Sequence, residues 1–198
     1  MPDTTARPPR RSSLAMAVLL LLSDEPMHPY GLRQRIQEWD KDRVVNVSQR
    51  NAIYQTIERL ERSGLITVLR TTRQERRPER TVYQATEEGV ATAGRWLREM
   101  LSTPAPEFPE FPAALAFLPS LPGPTVLDAL RARVAALETN IARLDKEVAD
   151  RVAEFPGGVD RIHLVEIDYL RAMWQAELNW VRDLVDDLGP RLAPGQDG

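Results

Sequence analysis

The stretch Tyr54-Gln55-Thr56-Ile57-Glu58-Arg59-Leu60-Glu61-Arg62-Ser63-Gly64-Leu65-Ile66 decides the fold. Ile57 and Leu60, with Ile53 just upstream, recur at helical spacing and give one apolar face. Ser48 is a good N-cap for this helix, which is predicted to run through Ser63. Gly64 follows the last turn, where a glycine ends helices. Immediately after it the period changes. Leu65-Ile66-Thr67-Val68-Leu69 is apolar and β-branched, and Thr81-Val82-Tyr83-Gln84-Ala85 answers it. The segment between them, from Arg70 to Arg80, is polar and carries Arg73, Arg76 and Arg77 near its middle. The reading is two antiparallel strands with a long basic tip.

Working outward, Thr86 caps a further helix with Glu87 and Glu88 in its first turn, where acids suit the helix dipole. Trp96, Leu97, Met100 and Leu101 are expected on its apolar side. Upstream, residues 1–12 are a polar, basic, flexible arm. Arg7, Arg10 and Arg11 precede the apolar run from Leu14 to Leu22, which has the look of a secretory signal. The run is shorter than the about 20 residues a bilayer needs and lacks a small-residue cleavage site. A buried helix capped by Ser12 or Ser13 explains the same letters, and the expected location is cytoplasmic. Asp24-Glu25-Pro26 breaks the chain, His28-Pro29 opens a helix carrying Tyr30, Leu32, Ile36 and Trp39, and Asp40 to Asn46 is a polar connection. Residues 13–103 thus form one domain of three helices, a hairpin and a helix.

Residues 104–124 contain seven prolines and are read as a connector, with a short helix from Ala113 to Leu118 inside it. Residues 125–188 hold two long helices. Leu127, Leu130, Val134, Leu137, Ile141, Leu144, Val148 and Val152 mark the first, and Ile167, Leu170, Trp174, Leu178, Val181, Val185 and Leu188 the second, both at coiled-coil-like spacing. Pro156-Gly157-Gly158 turns the chain between them, so they form an antiparallel hairpin. The seam residues Leu130, Leu137, Ile141, Leu144, Leu170, Trp174, Leu178, Val181 and Val185 are the expected dimerisation surface. Residues 189–198 are disordered by composition. The class is mainly α with a small β-hairpin.

Charge separates the two halves. Residues 1–103 hold 17 Lys and Arg against 13 Asp and Glu, while residues 104–198 hold 9 against 16. A basic half joined to an acidic half fits a nucleic-acid partner. The chain has no cysteine and only His28 and His163, so disulfides, thiol nucleophiles and a zinc site have nothing to build on, and no cofactor is expected. No serine, histidine and carboxylate arrangement points to catalysis, and the chain reads as a non-enzyme.

Helix, helix, helix, two-stranded basic hairpin, helix is the order of a winged helix-turn-helix domain. Three strings make the likeness specific: Pro26-Met27-His28-Pro29-Tyr30-Gly31-Leu32, Tyr54 to Ile66, and Val82-Tyr83-Gln84-Ala85-Thr86-Glu87-Glu88-Gly89. In that order they resemble the PadR family of bacterial transcriptional regulators, over roughly residues 13–101. The family's usual His-Gly-Tyr followed by an acidic or polar residue is here departed from in Pro29 and Gly31. Proline suits a first turn, and glycine costs about 1 kcal/mol relative to alanine. The long C-terminal hairpin is similar to the larger-tailed branch. There the tail makes the homodimer, and small aromatic or amphipathic compounds release the protein from its operator.

With Ile53, Ile57 and Leu60 inward, Arg50, Asn51, Tyr54 and Gln55 occupy the exposed first turns of the third helix. Arginine pairs with guanine, and asparagine or glutamine with adenine, in the major groove of double-stranded DNA. Ser48 and Gln49 stand where short polar groups and amides meet phosphate, and Tyr54 can donate its hydroxyl to one. Arg73, Arg76 and Arg77 are placed to track the backbone. A solvated polar face would leave the same letters. The aromatic residues Trp96, Phe111, Phe117 and Trp174 are candidates for an effector pocket, although tryptophans at helical spacing are also core residues. The resulting expectation is a homodimeric repressor on a pseudo-palindromic operator, not associated with a membrane. A winged-helix protein-interaction adaptor and a regulator of another winged-helix family are the alternatives.

Overall fold

Helix α1 (Ser13–Asp24) starts where the Ser12 hydroxyl accepts the Ala15 amide at 3.1 Å. Leu14, Ala15, Val18, Leu19, Leu21 and Leu22 are all buried, so the helix is enclosed nearly all round. That enclosure explains an unbroken apolar run where a surface helix would show a stripe. The computed structural model describes residues 11–47, 50–72, 80–155 and 157–192. They divide into two compact units, one ending at Pro106 and one beginning at Glu107.

In the first unit, helix α2 (Pro29–Glu38) is capped by His28, whose Nδ1 accepts the Gly31 amide at 2.7 Å. A Cβ at Gly31 would lie 2.9 Å from that same nitrogen, so the unexpected glycine makes room for the imidazole cap. Leu32 and Ile36 of α2 are buried, but Tyr30 and Trp39 are exposed, with the Arg35 guanidinium 5.4 Å from the Trp39 ring. Asp40 turns the chain in the left-handed region, at φ 53°. The polar connection that follows delivers Val45 and Val47 to the core.

Helix α3 (Arg50–Arg62) buries Ile53, Thr56, Ile57 and Leu60. It ends at Gly64, φ 69°, with the Leu65 amide donating to Leu60 O and the Gly64 amide to Glu61 O. Strands β1 (Ile66–Thr72) and β2 (Arg80–Ala85) pair antiparallel, Ile66 opposite Ala85 and Val68 opposite Tyr83, with a bulge between Val68 and Arg70. Met27 adds a rung to β2, exchanging both backbone hydrogen bonds with Tyr83.

Helix α4 (Glu87–Ser102) is capped by Thr86, which accepts the Gly89 amide and donates its hydroxyl to Gly64 O. Gly89, Thr92, Ala93 and Trp96 face inward. The expected apolar side is corrected here: Leu97 is exposed and Leu101 is 80% exposed. The close approach at Gly89 fixes the rotation of α4, and Leu97, one residue round from Trp96, is turned about 100° away. Three helices, a two-stranded hairpin and a closing helix make a winged helix.

In the second unit, α5 (Glu110–Leu115) begins three residues before the helix expected at Ala113. Pro112 falls in its first turn, where no amide is needed. Helices α6 (Gly123–Glu154) and α7 (Val165–Leu192) run antiparallel. Val126, Leu130 and Val181 pack in one cluster and Leu137, Ile141 and Leu178 in another. The tail expected from residue 189 is corrected in part: α7 continues through Gly189 and Pro190, because Leu192 packs on the Val126 cluster. Residues 193–198 lie outside the described residues.

The heptad residues pack within the chain. Leu130, Leu137, Ile141, Leu144, Leu178 and Val181 are buried by their own chain, and Leu170, Trp174 and Val185 are half-buried. These residues hold α6 to α7.

Candidate nucleic-acid interface

The inward set of α3 leaves Asn51, Tyr54 and Gln55 on the opposite, solvent-facing side of its first turns. Tyr54 is 53% exposed. Arg50 stands at the start of the same helix, and its side chain lies outside the described residues, as do Ser48, Gln49, Arg73, Arg76 and Arg77. On the emerging wing, Arg70 and Thr71 are exposed. Tyr83, at the base of β2, has its hydroxyl pushed above the usual tyrosine range by burial, then by Glu61 and Glu58.

Sequence reasoning missed a second group. Tyr30 and Arg33 of α2 line a cleft of about 300 Å3 together with Pro29, Ile53 and Tyr54. Tyr30 is 67% exposed, whereas the Arg33 Nε is shielded from solvent and has no hydrogen-bond partner. The signal was present in their spacing. Residues three apart share a helix face, and Leu32 and Ile36 already define the inward one.

Charge pairing differs between the units. Among the described residues, Arg33, Arg59, Arg62, Arg70 and Arg98 have no ion pair or hydrogen bond from their guanidinium groups. In the second unit every lysine and arginine is partnered, as in Arg133–Glu177, Arg171–Asp145 and Arg182–Glu138. The winged helix therefore keeps those five arginines available, and the hairpin uses its own cations internally.

The four aromatic candidates are dispersed. Trp96 is in the core of the first unit. Phe111 and Phe117 line a mostly apolar cavity of about 220 Å3 between α5 and α6, where Phe111 lies under the Arg133 guanidinium and edge-on to Trp180. Trp174 packs on the Leu137 cluster. Among the described residues no group of three or more His, Cys, Asp or Glu is placed to hold a metal, and no helix is long and apolar enough to cross a membrane.

Residues 18–95 match the transcriptional regulator PadR-like family, a span that covers α3, both strands and most of α4. Over those residues the winged helix is similar to that family. No curated protein matches it in sequence. In fold it is similar to the PadR of Bacillus subtilis bound to operator DNA, at 20% identity and a TM-score of 0.70 over 90% of this chain and 99% of that one. The same PadR with p-coumaric acid gives 17% and 0.67 over 89% and 98%. The virulence activator AphA of Vibrio cholerae gives 18% and 0.66 over 90% and 99%. At such identities the likeness is one of fold, and it extends over the winged helix and the helical hairpin alike.

Proposed function

We propose that this PadR-like chain is a sequence-specific DNA-binding transcriptional regulator, a homodimeric repressor released by a small effector. The observation that carries the DNA reading is the outward polar face of α3, in a unit where Arg33, Arg59, Arg62, Arg70 and Arg98 are unpartnered among the described residues. Phosphate contacts supply affinity, and base-edge contacts supply sequence preference. In this reading Arg50, Asn51 and Gln55 meet base edges, Ser48, Gln49 and Tyr54 meet phosphate, and Arg73, Arg76 and Arg77 track the flanking backbone. Occupying a promoter represses it.

The dimer is supported by a second stripe on α7. Val165, Tyr169 and Met173 are exposed and recur at helical spacing along one face of α7. A second copy covers this stripe, and a two-fold dimer places two α3 helices on half-sites about 34 Å apart. The cavity at Phe111 and Phe117 is the effector site. Its apolar lining suits a small aromatic or amphipathic molecule, and the B. subtilis PadR has been solved with p-coumaric acid. Release follows if that molecule binds the DNA-incompetent state better. The protein acts in the cytoplasm.

The test is a pair of titrations, on the region upstream of its own gene and on a scrambled duplex at one salt concentration. Asn51→Ala is expected to weaken the first by about 1–3 kcal/mol and to leave the second nearly intact. An unchanged ratio would show that α3 does not read bases through Asn51.

A further inference from the structure

The cleft between α2 and α3 has a chemistry that neither helix needs for folding. Its lining is Pro29, Tyr30, Arg33, Ile53 and Tyr54: one cation, two phenols and no carboxylate. Both phenols are more than half exposed, which is unfavourable for large aromatic side chains unless the surface is put to use. Arg33 is held differently. Its Nε is out of water without a hydrogen-bond partner, and no acid meets its guanidinium among the described residues. Arg35, on the same helix, is by contrast paired with Glu25 and Glu38. A desolvated, unpartnered guanidinium nitrogen costs free energy that an anionic oxygen recovers.

We propose that this cleft seats a single phosphate of the DNA backbone, with Arg33 as its ion partner and the Tyr30 and Tyr54 hydroxyls as hydrogen-bond donors. The planar guanidinium fork matches two phosphate oxygens, and a phenol can donate to either. The space, about 300 Å3, holds a phosphodiester and an edge of its sugar, since a water's share of liquid volume is about 30 Å3. A phosphate held there touches α2 and α3 together. It fixes how far α3 enters the groove and which bases Asn51 and Gln55 face, the positioning role of backbone contacts. The site rests on the reading of α3 as the DNA-facing helix, and the experiment separates the two.

The full chain is titrated with its upstream region and with a random duplex over a range of salt, after circular dichroism has confirmed that each variant is folded. Arg33→Ala is expected to weaken binding to both duplexes about tenfold. It also lowers the slope of log affinity against log salt by about 0.9. Tyr30→Phe, which keeps the ring, weakens both about threefold. Arg33→Gln and Tyr30→Phe carry the test if Arg33→Ala does not fold. Methylphosphonate substitution, one backbone position at a time, is expected to find a position that weakens the wild type and leaves Arg33→Ala unaffected. A wild-type chain that binds neither duplex overturns the DNA reading and this site with it. A wild type that binds while the Arg33 variants match it in affinity and slope overturns this site alone. Competition by inorganic phosphate beyond that of chloride at equal ionic strength, lost in Arg33→Ala, would place a free anion there and overturn the backbone assignment.

Discussion

Gly89 occupies a position that no side chain fits. A Cβ there would lie 2.0 Å from the carbonyl oxygen of Leu65, and that oxygen is already accepting the Thr86 amide at 3.0 Å. Thr86 ties the same corner from the other side, donating to Gly64 O while capping the Gly89 amide. Four residues thus lock the end of α3, the start of β1 and the first turn of α4. In the sequence Thr86-Glu87-Glu88-Gly89 is legible as a capped helix start, but the reason for the glycine is not, because Leu65 is 24 residues away. Gly89→Ala is expected to destabilise by about 3 kcal/mol, since backbone cannot yield as a side-chain tip does. The thermal unfolding midpoint of the full chain would then fall by about 9 °C. A midpoint equal to the wild type's would show that α4 packs otherwise.

Among the elements, the α6–α7 hairpin combines an apolar seam with charged rungs along its edges. Arg133–Glu177, Glu138–Arg182 and Asp145–Arg171 each join one helix to the other. The hydrogen bond from Arg171 holds the Asp145 carboxyl below its ordinary range. A carboxylate with a lowered folded-state pKa contributes stability that is present above its unfolded value and lost as pH falls through the folded one. Both groups are exposed, so the contribution is small. Asp145→Asn is accordingly expected to lower the hairpin's melting midpoint slightly at neutral pH, with the difference from wild type shrinking as pH falls below about 4. A difference that persists unchanged into acid would assign the effect to something other than this pair. The seam was legible from heptad spacing, but the rungs were not, because pairing across the hairpin depends on the register in which the helices meet.

At the scale of the whole molecule, the formal charge of −3 conceals a division of labour. The acidic unit neutralises its cations internally, while the winged helix leaves arginines unpartnered beside the polar face of α3. The outer stripe of α7 gives the proposed homodimer a concrete form. Met173→Glu puts a charge on that stripe without touching the seam, so helicity is expected to remain and sedimentation to report a chain of half the mass. Binding to a full operator then weakens sharply, because two linked half-sites no longer act together. A Met173→Glu chain that sediments as a tight dimer would move the interface elsewhere.

Caps, helix ends and periodicity were set by the sequence alone: Thr86 as one N-cap and Ser12 or Ser13 as another, Gly64 as a helix end, the change of period after it, and the two heptad runs. Each is decided within one or two turns of chain, so neighbouring letters carry the whole cause. Only the tertiary structure decided which side of α4 faces inward, that Met27 pairs with Tyr83, that Leu192 holds α7 past Pro190, and that the heptad seam closes within one chain. It alone brought Tyr30 and Arg33 of α2 to the same cleft as Tyr54 of α3. Those features are contacts between residues far apart in the chain, and whether a polar group finds a partner depends on what the fold places beside it.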